Sequence, residues 1–371
     1  MQHHILKSLA AIALGAMLLT NPVKAQENNY TITMENLPIE MEDGAQVWLM
    51  NWQLQKGLDT VEVNDWQCTF RGHTDTAFMG WITDLYNIHL PVVVEPGMEV
   101  TIDFTDVTAS GNRTNEQLYR FVGPEKRLGQ QLYEYADSDD SIAYRAVWDE
   151  LSRLFYETSL QIYADNSDNL AGAHILGECY GRLLEFGRYY SDTLMEQRNR
   201  LDSLYNAAPP SVRNYRPLSE NHQLSLAQRS MGKGQHFVDF EALDYATGKS
   251  TRLSKLIKGH VAVVDFWASW CYPCRQEITE YLKPLYKKYA DQGLVIVGVG
   301  AFDYPENHLA GLYAMNLPYP HMLDTTYNGI AKLYGFSSLP QLFLIDRDGT
   351  VLGNFRGERL VHEVEKALKG E

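Results

Sequence analysis

Two cysteines three positions apart, Cys271 and Cys274, are the side chains in this sequence best suited to covalent chemistry. They follow an apolar, β-branched run that begins at Val263, a pattern that predicts a buried strand leading through a turn into a helix. A thiol at the start of a helix faces unpaired backbone N–H groups and the positive end of the helix dipole, which favours its thiolate. The second thiol lies one turn along the same helix, within reach of a disulfide. The spacing therefore predicts thiol–disulfide exchange.

A carboxylate just before this pair and a proline farther along the chain also stand out. Asp265 interrupts the apolar strand before Cys271, and a buried carboxylate is costly unless paired, so its pKa is expected to rise. We interpret Asp265 as a proton acceptor for the inner thiol, with a structural carboxylate bonded to backbone or water as the alternative. Pro340 precedes another predicted strand and is a candidate for a cis peptide, with an ordinary trans turn as the alternative.

The elements that must position these residues form an α/β pattern. From about Gly232 to the end, predicted strands and helices alternate and then close in a hairpin at Asp348-Gly349. The cysteine helix is expected to run to about Ala290 with a kink at Pro284, because proline removes a backbone donor. Its apolar positions predict one face packed on the sheet. These positions are Ile278, Leu282, Leu285 and Tyr289.

The first two thirds of the chain contain two other patterns. Short strands with turns between them, from Tyr30 to Phe104, predict a small antiparallel β-sandwich, with a hairpin turn at Asn64-Asp65. Beyond a polar linker the apolar spacing becomes helical. We find no catalytic constellation in either pattern. The predicted division is a targeting segment at 1–25, a β-sandwich-like domain at 26–108, a central helical region at 109–231 and an α/β domain at 232–371.

The first residues have the pattern of a cleavable signal peptide. A basic start is followed by an apolar run from Leu9 to Leu19 and a small residue at a cleavage site between Ala25 and Gln26. The run is too short to span a bilayer comfortably. Export is therefore predicted, with an uncleaved N-terminal anchor as the alternative.

Composition excludes some classes of function. The chain has 371 residues, of which 45% are hydrophobic and 12% aromatic, enough for two or three packed domains. A net charge of −15 opposes nucleic-acid binding, which needs a basic surface.

The remaining cysteines, Cys68 and Cys179, are isolated in the sequence. We interpret them as buried, unreactive thiols, with an interdomain disulfide as the alternative. One Cys-x-x-Cys pair without two more ligands does not make a zinc site, so no metal is predicted.

The motifs of the last third resemble the thioredoxin superfamily, and specifically the exported thiol–disulfide oxidoreductases of the TlpA/ResA type. The resemblance rests on Val264–Cys274, Gly335–Pro340 and Phe343–Gly349. The preceding β and helical segments are similar, more loosely, to an uncharacterised N-terminal region that is often joined to such modules, and this similarity implies no activity.

The resemblance implies a thioredoxin-like fold for residues 232–371 and a redox disulfide between Cys271 and Cys274. Cys271 matches the exposed attacking thiol and Cys274 the resolving thiol, while Asp265 matches the buried acid of thioredoxin. Pro340 matches the cis-proline beside the disulfide, in a loop that offers backbone groups to a substrate chain.

Four neighbouring residues are implied to support the pair. Trp270 and Leu339 belong to the matched motifs next to Cys271 and Pro340. Tyr272-Pro273 stands where Gly-Pro is commonest, and these two residues are expected to tune the reduction potential.

The predicted function is reduction of protein disulfides in the periplasm, without a cofactor. The expected partners are a protein disulfide substrate and a membrane or periplasmic thiol donor, and no oligomeric state is predicted. A thiol oxidase or isomerase that uses the same pair is one alternative, and a partner-docking envelope protein with an incidental redox domain is another. A peroxidase would need a threonine in the segment that Ala268-Ser269-Trp270 occupies.

Overall fold

The computed structural model describes residues 27–51, 53–54, 56–84, 88–136, 141–186 and 192–371. The predicted targeting segment at 1–25 and its cleavage site at Ala25/Gln26 lie outside the described residues. Within these ranges, no helix combines the length and the apolar character needed to cross a membrane. The chain forms two compact units. One contains the residues up to Cys179 together with Arg200–Ser219, and the other contains Tyr180–Asn199 and Glu220–Glu371.

The first unit begins with eight strands in two four-stranded sheets. The strands are β1 (Tyr30–Glu35), β2 (Gln46–Asn51), β3 (Lys56–Glu62), β4 (Cys68–Gly72), β5 (Phe78–Thr83), β6 (His89–Val94), β7 (Met98–Asp103) and β8 (Thr108–Ser110). The sheet orders are β4-β1-β7-β8 and β3-β2-β5-β6. Strict alternation of buried and partly buried residues in β1 shows why its sequence forms a strand with one face in the core. The predicted antiparallel sheets are confirmed, with one parallel pair, β1–β7.

Two details of these sheets differ from the prediction. The Asn64-Asp65 turn is present, with Asn64 and Gln67 exchanging both backbone hydrogen bonds, but β3 and β4 on either side of it belong to different sheets. The turn therefore carries the chain between sheets instead of closing a hairpin. Strand β5 was not predicted because Gly80 weakens its pattern, although that glycine leaves room for the side chains of Leu49 and Val92.

A helical region follows, as predicted. Its helices are α1 (Arg113–Ala136), α2 (Ser141–Arg153), α3 (Ser159–Ala164), α4 (Leu170–Phe186), α5 (Asp192–Ala207), α6 (Pro210–Arg213) and α7 (Arg216–Ser230). Cys179 on α4 donates to the carbonyl of Phe155 at 3.2 Å. Cys68 and Cys179 are both buried free thiols, and burial raises the pKa of each to about 12. This is the unreactive state that the sequence analysis favoured.

The last part of the chain is an α/β sheet of seven strands. Its elements are β9 (Glu241–Asp244), β10 (Lys249–Arg252), α8 (Leu253–Ile257), β11 (Val261–Trp267), α9 (Tyr272–Glu277), α10 (Lys283–Tyr289), β12 (Leu294–Gly300), α11 (Pro305–Met315), β13 (His321–Leu323), α12 (Gly329–Tyr334), β14 (Gln341–Ile345), β15 (Val351–Asn354) and α13 (Gly357–Lys369). The order β10-β9-β13-β12-β11-β14-β15 puts β11 inside the sheet. All seven residues of β11 are buried, since it pairs with β12 in parallel and with β14 antiparallel. The thioredoxin-like α/β architecture is confirmed.

The cysteine helix is divided into α9, a π-helical turn at Ile278–Leu282 and α10. Pro284 lies in the first turn of α10. The kink predicted at Pro284 is therefore a wider, π-helical turn directly before the proline. The proline itself lies in a first helical turn, where a missing backbone donor is tolerated. The predicted apolar face is confirmed, because Ile278, Leu282 and Leu285 pack in one cluster with β11.

A buried histidine in the first unit gives its stability a pH dependence. His174 is 4% exposed, and its Nδ1 lies 3.5 Å from the hydroxyl of Tyr215. Burial lowers the pKa of His174 to about 4, with Glu125 opposing the shift and Lys126 adding to it. Between that value and the ordinary value near 6.5, the unfolded chain binds the extra proton. The free energy of unfolding therefore falls as the pH falls through this window, by at most roughly 3 kcal/mol.

Replacing His174 by phenylalanine tests this dependence, because the ring remains and the protonation site is lost. We expect the unfolding midpoint of the parent to drop between about pH 7 and about pH 4.5, and that of His174→Phe to drop less. Thermal unfolding followed by circular dichroism across this range measures both. His362→Phe, at an exposed position on α13, is the control and should follow the parent. An equal drop in the parent and in His174→Phe would exclude His174 as the cause.

Candidate active site

The two cysteines lie where β11 ends and α9 begins. Cys271 is the N-cap residue of α9, and its sulfur accepts a hydrogen bond from the backbone N–H of Cys274 at 3.3 Å. A disulfide joins Cys271 to Cys274, whose Cα atoms are 5.3 Å apart. The helix start predicted from the sequence is therefore present, and its free N–H groups favour a thiolate at Cys271 once the bond is reduced.

The exposure of Cys271 differs from the expectation. An exposed attacking thiol was expected, but Cys271 is only 3% exposed in the disulfide form. Its sulfur is held against the fully buried side chain of Cys274, while Trp270 and Tyr272 on either side are 49% and 62% exposed. Two exposed aromatic side chains therefore flank a recessed disulfide.

A carboxylate that the sequence analysis missed holds the turn before Cys271. Asp303 accepts hydrogen bonds from the backbone N–H of Ser269 at 2.6 Å and from its hydroxyl at 3.2 Å. His308 on α11 lies 3.2 Å from the same carboxylate. Burial raises the pKa of Asp303, but the hydrogen bonds from His308 and Ser269 outweigh it, so the net pKa is lowered. The available signal was its position just after the end of a buried strand, β12.

Trp270 is fixed by a contact with the loop after β12, which contains Phe302 and Asp303. Its indole N–H donates to the carbonyl of Phe302 at 2.7 Å. The backbone N–H of Phe302 in turn donates to the carbonyl of Tyr327 at 2.6 Å. The φ angles of Phe302 and Tyr327 are both positive, 56° and 72°. Backbone strain of this kind at bulky residues is found where the surrounding structure dictates it, often at functional sites. The loop therefore holds Trp270 beside the disulfide.

Asp265 is fully buried in β11. Neither of its carboxylate oxygens has a direct hydrogen-bond partner among the residues that the structure describes. Burial raises its pKa well above 3.8, and the negative charge of Glu277 on α9 adds to the shift. Strand alternation places Asp265 on the same face as Trp267, which packs with both cysteines.

Pro340 lies at the same edge of the sheet as Cys271. The Leu339–Pro340 peptide is cis, and Gln341 directly after it pairs with Phe266 near the end of β11. Arg356 donates a hydrogen bond to the Pro340 carbonyl. Leu339 packs against the cores on both faces of the sheet.

The two residues between the cysteines form the first turn of α9. Pro273 occupies a position at the helix start that suits proline, since the backbone N–H there has no partner within the helix. The ring of Tyr272 lies under the Arg275 guanidinium, 5.9 Å from its centroid. A cation is therefore held beside the mouth of the site.

Comparison with known proteins identifies relatives of this chain. Residues 233–353 match the model of the AhpC/TSA family. Thiol-disulfide oxidoreductase ResA of Bacillus thuringiensis subsp. konkukian is 34% identical over 145 residues, which cover 38% of this chain and 80% of that protein. ResA of Bacillus subtilis is 31% identical over 147 residues, which cover 38% of this chain and 79% of the other.

The chain belongs to the thioredoxin-like thiol–disulfide oxidoreductases. Among solved structures, the thioredoxin domain of a thiol-disulfide oxidoreductase from Bacteroides vulgatus is similar, with 27% identity over 36% of this chain and 96% of that one and a TM-score of 0.34. A thiol:disulfide interchange protein from a Bacteroides species has 28% identity, covering 38% and 93%, and a TM-score of 0.34. The family-model match, residues 233–353 of this oxidoreductase, contains both cysteines.

The unpaired Asp265 predicts a specific effect on stability. A carboxyl with a raised pKa binds its proton more tightly in the folded protein, so the free energy of unfolding falls as the pH rises above the unfolded value near 3.9. Asp265→Asn removes this cost, and we expect it to stabilise the oxidoreductase at neutral pH by about 1 kcal/mol or more, the scale of one pKa unit. The difference should vanish below about pH 4.

Denaturant unfolding at several pH values measures this effect. Asp348→Asn is the matched control, because the backbone N–H and the hydroxyl of Thr350 lower the pKa of the exposed Asp348. That variant should not be more stable than the parent at neutral pH. A lower stability of Asp265→Asn at every pH would contradict a net stability cost for burying this carboxylate.

Proposed function

We propose that this thiol–disulfide oxidoreductase is an exported protein-disulfide reductase that acts through Cys271 and Cys274. The observation that carries the proposal is the disulfide between an N-cap cysteine and a buried cysteine one turn later. Asp265 behind the pair and the Pro340 loop at the same sheet edge support it.

The proposed reaction has two steps. The Cys271 thiolate attacks one sulfur of the substrate disulfide, forming a mixed disulfide and releasing the other substrate sulfur as a thiolate. Cys274 then loses its proton to Asp265 and attacks the sulfur of Cys271. The bond between Cys271 and the substrate breaks, the substrate takes two electrons in total, and the Cys271–Cys274 disulfide remains.

The roles of the surrounding residues follow from their positions. Trp270 and Tyr272 provide exposed aromatic surface for the substrate chain. The loop of Leu339 and Pro340 offers backbone groups to an extended substrate segment. Pro273 completes the first helical turn, and with Tyr272 it contributes to the reduction potential.

The surroundings of Cys274 favour the reductive direction. A strong oxidant of this type has a stabilised reduced form. Here the inner sulfur is fully buried, and the two nearby acids are Asp265 and Glu277, which interact with each other. Burial and negative charge both oppose a stable thiolate at Cys274. The reduced form therefore gains no stabilisation from a Cys274 thiolate, and this favours donation of electrons by the pair.

The proposed setting is the periplasm. The signal-peptide pattern that ends at Ala25/Gln26 supports export. A protein disulfide is the proposed substrate, and a membrane or periplasmic thiol protein is the proposed donor that reduces the Cys271–Cys274 disulfide again. We propose residues 232–371 as the catalytic domain, preceded by separate segments at 26–108 and 109–231.

Single cysteine substitutions test the proposed reaction. Cys271→Ser should lower insulin-disulfide reduction to less than about one thousandth of the parent rate, because it removes the nucleophile. Cys274→Ser should accumulate mixed disulfides with the substrate, which non-reducing gel electrophoresis detects. Cys68→Ala, which changes a buried thiol of the first unit, is the control and should keep the parent rate. Parent-like reduction by Cys271→Ser would refute the assignment.

Further assays on the parent protein distinguish the alternative functions. An oxidase would transfer its disulfide to a reduced, unfolded protein faster than it reduces insulin, and an isomerase would recover activity from a scrambled substrate. A peroxidase would consume hydrogen peroxide at a rate comparable with insulin reduction. A docking protein with an incidental redox domain would show none of these activities.

A further inference from the structure

Three residues lie in one row across the sheet beside the redox pair. Asp265 on β11 is the register partner of Gly298 on β12, and Gly298 is the partner of His321 on β13. Side chains at partner positions point to the same face of a sheet. Because Gly298 has no side chain, the space between Asp265 and His321 is open to both of their side chains.

His321 and Trp267 both reach into this space. A Cβ atom at Gly298 would lie 2.3 Å from Nδ1 of His321 and 3.3 Å from the indole nitrogen of Trp267. Trp267 lies two residues after Asp265 on the same face of β11. The imidazole and the indole N–H therefore converge over Gly298, on the side of the sheet where Asp265 lies.

Tyr319 completes the group. Its side chain packs in the same cluster as Trp267 and both cysteines, and its ring centroid is 5.0 Å from that of His321. Burial raises the pKa of Tyr319 well above 10, and the charge of Asp265 adds to the shift. Tyr319 is therefore an electrostatic neighbour of Asp265.

All four side chains have buried polar atoms without direct partners. These atoms are both oxygens of Asp265, both ring nitrogens of His321, the hydroxyl of Tyr319 and the indole nitrogen of Trp267, judged among the described residues. Buried donors and acceptors that lie together are normally satisfied by one another, directly or through ordered water. An acid, an imidazole, a phenol and an indole N–H supply complementary donors and acceptors for one network.

Such a network removes a difficulty in the proposed reaction. Burial, together with Glu277 on α9, raises the pKa of Asp265 well above 3.8, so an isolated Asp265 holds its proton more tightly than an ordinary aspartate and is a poorer acceptor for another. Burial lowers the pKa of His321 to about 3, and the charge of His308 on α11 adds to the shift. The imidazole is therefore neutral, with one ring N–H to donate.

We propose that His321 is a positioning residue whose neutral imidazole N–H, with the hydroxyl of Tyr319 in the same network, donates through ordered water to the Asp265 carboxylate, so that Asp265 can accept the proton of Cys274. The proposal rests on the reaction assigned above to Cys271 and Cys274. These donors stabilise the charged form of Asp265, so that a carboxylate faces the buried thiol. The Cys274 proton passes to that carboxylate, and the Cys274 sulfur attacks Cys271. The Cys271–substrate bond breaks, the substrate leaves as a thiolate, and the network later releases one proton to solvent.

Gly298 is required by this arrangement. Any larger residue at position 298 places a Cβ atom against the His321 ring. Gly300, two residues later on the same strand, makes room for a second histidine, because a Cβ atom there would lie 2.6 Å from the ring of His308. The Gly298-Val299-Gly300 sequence thus admits two histidine rings to the layer that contains the redox pair.

The test separates the two thiol steps with dithionitrobenzoate. Attack by Cys271 releases the first thionitrobenzoate, and resolution by Cys274 releases the second. In His321→Phe, which retains a ring over Gly298, we expect the second release to slow about tenfold or more near neutral pH. The acid limb of the pH profile of the second release should move up by about one pH unit, since Asp265 then stays protonated to higher pH. The first release should not change.

Two further variants distinguish hydrogen bonding to Asp265 from a packing role of the rings around it. Tyr319→Phe removes one hydroxyl and should shift the second release in the same direction, by less. Tyr286→Phe removes a hydroxyl from the ring that packs against Tyr319 at 5.6 Å, and should leave both releases unchanged. A purely structural role for His321 would lower the unfolding midpoint without moving the pH profile of the second release, and that outcome overturns the proposal.

A double substitution completes the test. If His321 acts through Asp265, His321→Phe should slow the second release little further in an Asp265→Asn background, because coupled residues are not additive. Full additivity overturns the proposal. Its failure is distinct from failure of the proposed function. An unchanged second release in His321→Phe with normal insulin reduction by the parent refutes only the role of His321, whereas absence of insulin reduction by the parent refutes the function.

Discussion

The redox unit is organised around a carboxyl group that is buried inside the central strand and has no direct hydrogen-bond partner among the described residues. Asp265 lies in a strand whose seven residues are all buried, so its charge is opposed by desolvation. The same strand ends at the turn that presents Cys271 and Cys274. In the reaction that we propose, the proton of that carboxyl is coupled to the buried thiol of Cys274, so the stability cost of burying Asp265 is tied to the reaction.

A second set of contacts fixes where the reaction occurs. Asp303 binds the backbone and side chain of Ser269 just before the cysteines, and the Phe302 carbonyl holds the indole of Trp270. The antiparallel pairing of β11 with β14 brings the cis peptide at Pro340 to the same edge. Rigid strands thus deliver the disulfide, the aromatic surface and the proline loop to one place, as required for precise positioning at an active site.

The sequence was sufficient for the features whose signal is local. A β-branched run, two spaced cysteines and an Asp-Gly turn each imply their own structure. Strand β5 was lost because Gly80 obscured it. The turn at Asn64-Asp65 was predicted, but its change of sheet was not, since turn chemistry does not specify which sheet the next strand joins. The contacts of Asp303 with Ser269 and the position of His321 opposite Gly298 were missed because they join residues that are distant in the chain and meet only when the strands pair.

The reduction potential of the Cys271–Cys274 pair tests the central claim most directly. A reductase in which burial and nearby acids oppose a thiolate at Cys274 should have a potential near or below about −270 mV, the value of thioredoxin. Equilibration with glutathione or dithiothreitol redox buffers, followed by alkylation of free thiols, measures it. A value near about −120 mV, typical of a strong disulfide oxidant, would contradict the proposed direction of electron flow.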